Sequence, residues 1–335
     1  MKERINWIDW VKATCMTVVV FCHLPQQEDT FYLQYLSSVI LSSFFFVSGY
    51  LKKPTTSLKT SLKKYSYSLL IPYLIYNAIY FPYWIVKFYI EEGSINYIES
   101  MKPIIGTILL QLNSAFSCEL NGVTWFLPAL FLMHFVTDGC NRMKHGKYMM
   151  FLFAIISMVL YSANKYYHHM PFITYHGFIR CLCFFFMGYF FQQADYLKRL
   201  HLQKDLLRGC STLLLSIALF YWHLHENRFI VHIILYYVVN FLSVIGIIYL
   251  CRGFNSIRQQ FVTLISIGTM LIFGTHRIII GIIDYAFEKI FQISDISYSL
   301  SNAIILTFGI ELAVLPLILY SKKHWLILLG KRKTI

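Results

Sequence analysis

The chain has 335 residues, 57% of them hydrophobic and only 13% charged, with a mean hydropathy of +0.57. Soluble domains carry about 25% charged residues, so this composition excludes a soluble globular fold and points to an integral membrane protein. The formal net charge of +13 would suit a nucleic-acid binder. Here, however, the basic residues are spread over the loops of one side, the pattern of topology signals that also favour anionic headgroups. The expected partner is a lipid bilayer, and nucleic acid is not.

In chain order, windows apolar and long enough for a hydrocarbon core of about 30 Å fall at 5–24, 35–51, 69–90, 123–139, 148–163, 172–193, 206–224, 229–251, 261–283 and 299–320. The expectation is therefore an all-α bundle of about ten transmembrane helices in a single domain, 1–335. Lys2 and Arg4 precede the first window, but no small-residue cleavage site follows it. It reads as a retained first span rather than a signal peptide. In the third window, Pro72 and Pro82 predict kinks that neighbouring helices must compensate. The stretch 91–122 is the longest that does not span, and its middle, PIIGTILLQL at 103–112, is too short to cross. That segment is either re-entrant or interfacial.

Charge decides the orientation. Loops that share the N-terminal side carry 21 Lys and Arg, and the opposite loops carry only Lys102, Lys165, Arg228 and Lys289. The positive-inside rule then places both termini in the cytoplasm and favours an even number of spans. The eight cysteines are scattered, and only Cys118 falls in an outer loop. No pair has metal-site spacing, so neither a metal nor a disulfide is expected.

The first span carries the chemistry. In INWIDWVKATCMTVVVFCHL at 5–24, Lys12 and His23 are eleven residues apart. Eleven helical steps bring His23 back to within about 20° of Lys12, but about 16 Å further along the axis. Asp9 lies on the same stripe, about 40° from His23. An acid, a base and an imidazole are thus lined up at different depths, and ionisable groups inside a membrane suggest function by default. The structural reading of the same residues is a snorkelling Lys12, a water-bonded His23 at a helix end and an Asp9 that pairs with Lys12.

Four segments now resemble a known family. IDWVKATCMTVVVFCH at 8–23, FFFVSGYL at 44–51, GVTWFLPALF at 122–131 and ISIGTMLIFGTH at 265–276 are similar to landmarks of the acyltransferase family 3 membrane proteins. Within that family the fucose 4-O-acetylase-like subgroup is the nearest likeness, over essentially the whole chain. The resemblance implies acyl transfer from acyl-CoA, acetyl-CoA by default, to a hydroxyl on a cell-surface glycan or its lipid-linked precursor. It also implies residence in the cytoplasmic (inner) membrane. The family's essential histidine maps onto His23, its first-helix basic residue onto Lys12 and its first-span acid onto Asp9. One departure stands out. Many relatives carry two arginines just before the third span, where this chain reads LKKYSYSLLIPY, with Lys63 and Lys64 and no arginine.

The chemistry asks for the same parts. Acyl transfer to a sugar hydroxyl needs a base, a donor for the developing oxyanion and a site for the CoA phosphates; imidazole suits the first because it titrates near neutrality. His23 and Asp9 are the catalytic candidates, with Lys12, Lys63 and Lys64 for the acyl-CoA. His276 and Arg277, in the outer half of the ninth window, are substrate or oxyanion ligands, or else an interhelical polar contact. Glu311 is an isolated acid in the tenth window, a partner for Arg277 or Arg180 or part of the site. Arg180 suits an anionic acceptor, and Trp125 is either an interface-belt aromatic or a sugar-stacking platform. Ser48 and Gly49 form a small pair suited to helix packing. His168 and His169 receive no role. The competing function is an exporter of the same glycan, since ten helices around buried charges also suit a pathway, but no inverted repeat is visible.

Overall fold

A computed structural model describes residues 4–27, 30–95, 97–111, 120–167, 173–197, 200–292 and 296–331. Cys118, the His168–His169 pair, residue 112 and the topology charges Lys2, Lys198, Arg199, Arg332 and Lys333 lie outside the described residues. The described chain is helical and holds no strand. Its helices are α1 (Asn6–Cys22), α2 (Phe31–Tyr50), α3 (Leu58–Tyr65), α4 (Ile71–Glu92), α5 (Tyr97–Ile108), α6 (Phe126–Cys140), α7 (Gly146–Tyr167), α8 (Ile173–Gln193), α9 (Leu202–His225), α10 (Phe229–Gly253), α11 (Gln260–Phe291) and α12 (Leu300–His324).

Every one of the ten predicted windows is helical. Eight stretches are both long and apolar enough to cross a membrane: Phe31–Tyr50, Leu58–Glu92, Gly122–Cys140, Gly146–Asn164, Leu202–His225, Phe229–Gly253, Gln260–Ile290 and Leu300–His324. The two remaining windows are α1, which has 17 residues, and α8, which has 21. Polar groups interrupt both, with Asp9 and Lys12 in α1 and His176 and Arg180 in α8.

Pro72 does not break its helix. A π turn, Ser66–Leu70, joins α3 to α4 in one continuous helix, and Pro72 stands two residues past it, at the kind of local widening where a helix accommodates a break in its hydrogen-bond ladder. Pro82 lies inside α4, which runs on to Glu92 and ends on Gly93 at φ 71°, a left-handed cap that favours glycine.

The described residues form two compact units: Met1–Leu51 with Phe184–Thr269 and Ala286–Pro316, and Lys52–Cys183 with Met270–Tyr285 and Leu317–Ile335. In the first, α2 and α8 meet glycine to backbone. A Cβ on Gly49 would fall 1.9 Å from the Phe185 carbonyl oxygen, and one on Gly188 would fall 2.0 Å from that of Phe46. This is the close approach expected of the Ser48–Gly49 pair. Polar side chains tie neighbouring helices together. Tyr35 Oη shares hydrogen bonds with Ser216 Oγ (3.1 Å) and Ser243 Oγ (3.0 Å), and Ser42 Oγ donates to Asn240 Oδ1 at 2.8 Å.

The second unit holds α3–α7 and the short 3-10 turn Gly122–Trp125. In it Tyr73 Oη donates to the Thr107 carbonyl at 3.0 Å. That bond ties the end of α5 to the start of α4. Lys52, counted above among the loop charges, is instead buried. Its Nζ lies 2.8 Å from Asp138 Oδ1 and donates to Tyr65 Oη at 3.1 Å. A cation just past a helix end reads as a loop signal unless a distant carboxylate is brought to it.

Candidate functional site

The first unit assembles Asp9, Lys12, His23 and Glu311 around α1. This helix is unbroken from Asn6 to Cys22, with His23 as its C-cap in the helical region. The stripe read from the sequence is therefore real, and Lys12 and His23 are about 16 Å apart along it.

Ser266 of α11 organises the N-terminal end of α1. Its Oγ donates to Asp9 Oδ1 at 2.7 Å, while its carbonyl accepts from Lys12 Nζ at 3.0 Å. Arg4 grips the same carboxylate, with Nη2 to Asp9 Oδ1 at 2.7 Å and Nε on the other oxygen. Asp9 is thus paired with Arg4 and Ser266 rather than with Lys12, as the structural reading had it. Lys12 and Asp9 are linked through one residue, each bonded to a different atom of Ser266.

At the C-terminal end of α1, His23 Nδ1 lies 2.7 Å from the Val19 carbonyl oxygen. A carbonyl can only accept, so Nδ1 carries a proton, and in the neutral ring Nε2 is then the lone-pair nitrogen. His276 repeats the device in the second unit, with Nδ1 2.9 Å from Ile272 O. Both imidazoles are thereby fixed in the tautomer whose Nε2 is a base. Glu311 is fully buried, and its Oε1 accepts from Thr17 Oγ1 at 2.7 Å. Its bonded partner is a hydroxyl on α1, whereas the sequence had suggested either an arginine partner, Arg277 or Arg180, or a place in the site.

The second unit holds Lys63, Lys64, Trp125, Arg180, His276 and Arg277. Lys63 and Lys64 are exposed on the last turn of α3, whose start is capped by Ser57 Oγ accepting from Thr60 N at 3.1 Å. Lys64 Nζ lies 4.9 Å from the Tyr65 ring centroid, and that ring stacks on His134 at 4.1 Å. Trp125 ends the 3-10 turn, and its indole packs where Gly177 has no side chain: a Cβ there would meet Trp125 Cζ3 at 1.9 Å. Arg180 is half-buried on α8. On α11, His276 is fully buried and Arg277, one step round the helix, is exposed.

The whole-chain match now has its geometry. Residues 5–321 fit the family model described as an acyltransferase domain, acyltransferase 3. The chain belongs to that family. Comparisons with curated proteins and with solved structures gave no match. The match takes in α1 through most of α12, so the acyltransferase is a multi-pass membrane protein whose family domain includes both histidines and the Ser266 junction.

Several residues of this acyltransferase escaped the sequence reading. Arg4 was counted as a topology charge, and Ser266 and Thr17 looked like ordinary small polar residues in apolar runs. Asp138 carried the one usable signal: it is an acid inside the fourth window, a position that demands a partner.

Proposed function

We propose that this acyltransferase moves an acyl group, acetyl by default, from acyl-CoA to a hydroxyl of a cell-surface glycan or its lipid-linked precursor. It would do so in the manner of the fucose 4-O-acetylase-like subgroup. The observation that carries the reading is the fixed tautomer of His23 at the end of α1, with Lys12 on the same stripe and bonded to Ser266. His23 Nε2 takes the proton of the acceptor hydroxyl as its oxygen attacks the thioester carbonyl. The tetrahedral intermediate then collapses, the C–S bond breaks, and the imidazolium returns the proton to the leaving thiolate. The products are a sugar ester and free CoA.

Lys12 pairs with a CoA phosphate on the side where acyl-CoA is made, and the pantetheine arm covers the distance to His23. Lys63 and Lys64 add positive charge on that same side. Asp9, about 21 Å from His23 along α1, acts as a positioning residue through Ser266. His276, Arg277, Trp125, Arg180 and Glu311 serve the acceptor. The deciding experiment is mass spectrometry of surface glycan from cells with and without the protein. An unchanged acyl content would sink the reading, and glycan retained inside the cell would point to export instead.

In this reading the protein sits in the inner membrane with both termini in the cytoplasm, a topology that the charge asymmetry of the loops supports. Ser94, exposed just beyond the α4 cap, should then be outside. A Ser94→Cys variant should react with a membrane-impermeant maleimide in intact cells, and Lys59→Cys only after permeabilisation. The opposite pattern would invert the topology.

For Lys12, a charge-assisted bond to phosphate is worth on the order of 1–3 kcal/mol, so Lys12→Ala should weaken acyl-CoA binding about 5- to 150-fold. Lys12→Arg should keep part of that, because charge matters more than shape for a flexible nucleotide tail. Calorimetry on the solubilised variants decides. An unchanged dissociation constant with reduced folded yield would make Lys12 purely structural.

A further inference from the structure

The second unit buries a polar cluster that the reading above leaves without a role. Asn77 Nδ2 donates to Tyr73 O at 2.9 Å and to Thr124 Oγ1 at 3.0 Å. Gln111 Nε2 reaches Thr124 Oγ1 and Asn121 O at 3.4 and 3.5 Å. Asn121 Nδ2 donates to Gly274 O at 3.1 Å, and Thr124 Oγ1 to Asn121 O at 2.8 Å. Asn77, Gln111 and Asn121 are each 1% exposed and Thr124 not at all. Asn77 stands near the middle of the continuous Leu58–Glu92 stretch, and Gly274 near the middle of Gln260–Phe291. The cluster therefore lies about midway along both helices.

Backbone carbonyls take the N–H groups of all three carboxamides, which fixes their orientation and turns each oxygen away. Asn77 Oδ1, Gln111 Oε1 and Asn121 Oδ1 have no hydrogen-bond partner. Three such atoms in one cluster are unusual, because buried acceptors are nearly always satisfied. Leu110 and Gln111 also hold φ values of 56° and 54°, a region that ordinary side chains avoid and that strained functional positions adopt.

We propose that these three oxygens receive hydroxyl groups of the acceptor sugar. The inference rests on the acyl-transfer reading and adds a binding subsite to it. The match is chemical. The cluster offers acceptors and almost no spare donor, since five of the six amide N–H positions are already directed at oxygens. A sugar presents several O–H donors and tolerates unmatched lone pairs. The pantetheine arm has fewer donors, two amide N–H groups and a hydroxyl spread along an extended chain, and its amide carbonyls find almost no N–H in the cluster; the KM for acetyl-CoA tests it directly. His276 is two residues beyond Gly274 on α11, which places a fixed imidazole in the same turn as the subsite.

The test uses the whole protein, radiolabelled acetyl-CoA and unacetylated surface glycan extracted from cells lacking the protein. Gln111→Met is the first variant, because its own N–H bonds are the longest and the fold depends on them least. Asn121→Ser is the second, and the thermal midpoint of each reports folding. A lost neutral hydrogen bond weakens binding by about 2- to 12-fold, so the half-saturating glycan concentration should rise by that factor. The KM for acetyl-CoA should stay within about twofold of wild type. A rise in the acetyl-CoA KM alone would assign the oxygens to pantetheine, and no change in either would assign them to trapped water; both overturn the proposal. Failure of the wild type itself to transfer label would instead overturn the acyl-transfer reading.

Discussion

His23→Ala should lose acyl transfer by about 10²–10⁴-fold, the usual cost of removing a general base, while expression and acyl-CoA affinity stay close to wild type. The expectation follows from position. His23 caps α1 rather than sitting within it, and its bonded contact is to a carbonyl four residues back in its own helix. His23→Gln sharpens the point: its amide can still donate to Val19 O but offers no titratable nitrogen, so it should be as inactive as alanine. Steady-state transfer of label from acetyl-CoA measures the first quantity and calorimetry the second. Activity within threefold of wild type would rule out the base. Equal losses of activity and CoA affinity would make His23 part of the donor site.

The largest effect on stability should come from the Lys52–Asp138 pair. Both side chains are fully buried, and Asp138 also accepts from Ser61 Oγ at 2.6 Å. Burial lowers the Lys52 ammonium from its ordinary value, and the bond to Asp138 opposes that shift. Removing one partner strands the other charge away from water. Lys52→Met should therefore cost about 3–5 kcal/mol, as should Asp138→Leu, whereas the Lys52→Met/Asp138→Leu double variant should recover most of the loss. The recovery is expected because an apolar pair of similar volume needs no desolvation of charge. Unfolding in mixed micelles, followed by tryptophan fluorescence, gives the three values. Single variants within about 1 kcal/mol of wild type would mean that the pair is not buried, since exposed pairs contribute at most that much.

What the two experiments probe was legible to different degrees. The stripe Asp9–Lys12–His23 follows from helical period alone, because all three residues lie on one uninterrupted helix. The tautomer of His23 is also local, set by a carbonyl one turn earlier. Lys52 is the opposite case. Its sequence neighbourhood, LKKPTTS, is polar and turn-like, and nothing within it announces a buried carboxylate partner. The pair exists only because the fold brings Asp138 of α6 to Lys52, 86 positions earlier in the chain.

By itself, the sequence determined the class of molecule, the helical windows, the first-helix stripe and the family, because hydropathy, period and short motifs are properties of adjacent residues. Only the tertiary structure decided the partners. Asp9 meets Ser266 across 257 positions, Thr17 meets Glu311 across 294, and Asn121 meets Gly274 across 153. In an apolar interior a buried polar group must find a partner wherever the packing brings one. Which residue that is depends on helix neighbours and their rotation, and neither is written in any local run of the chain.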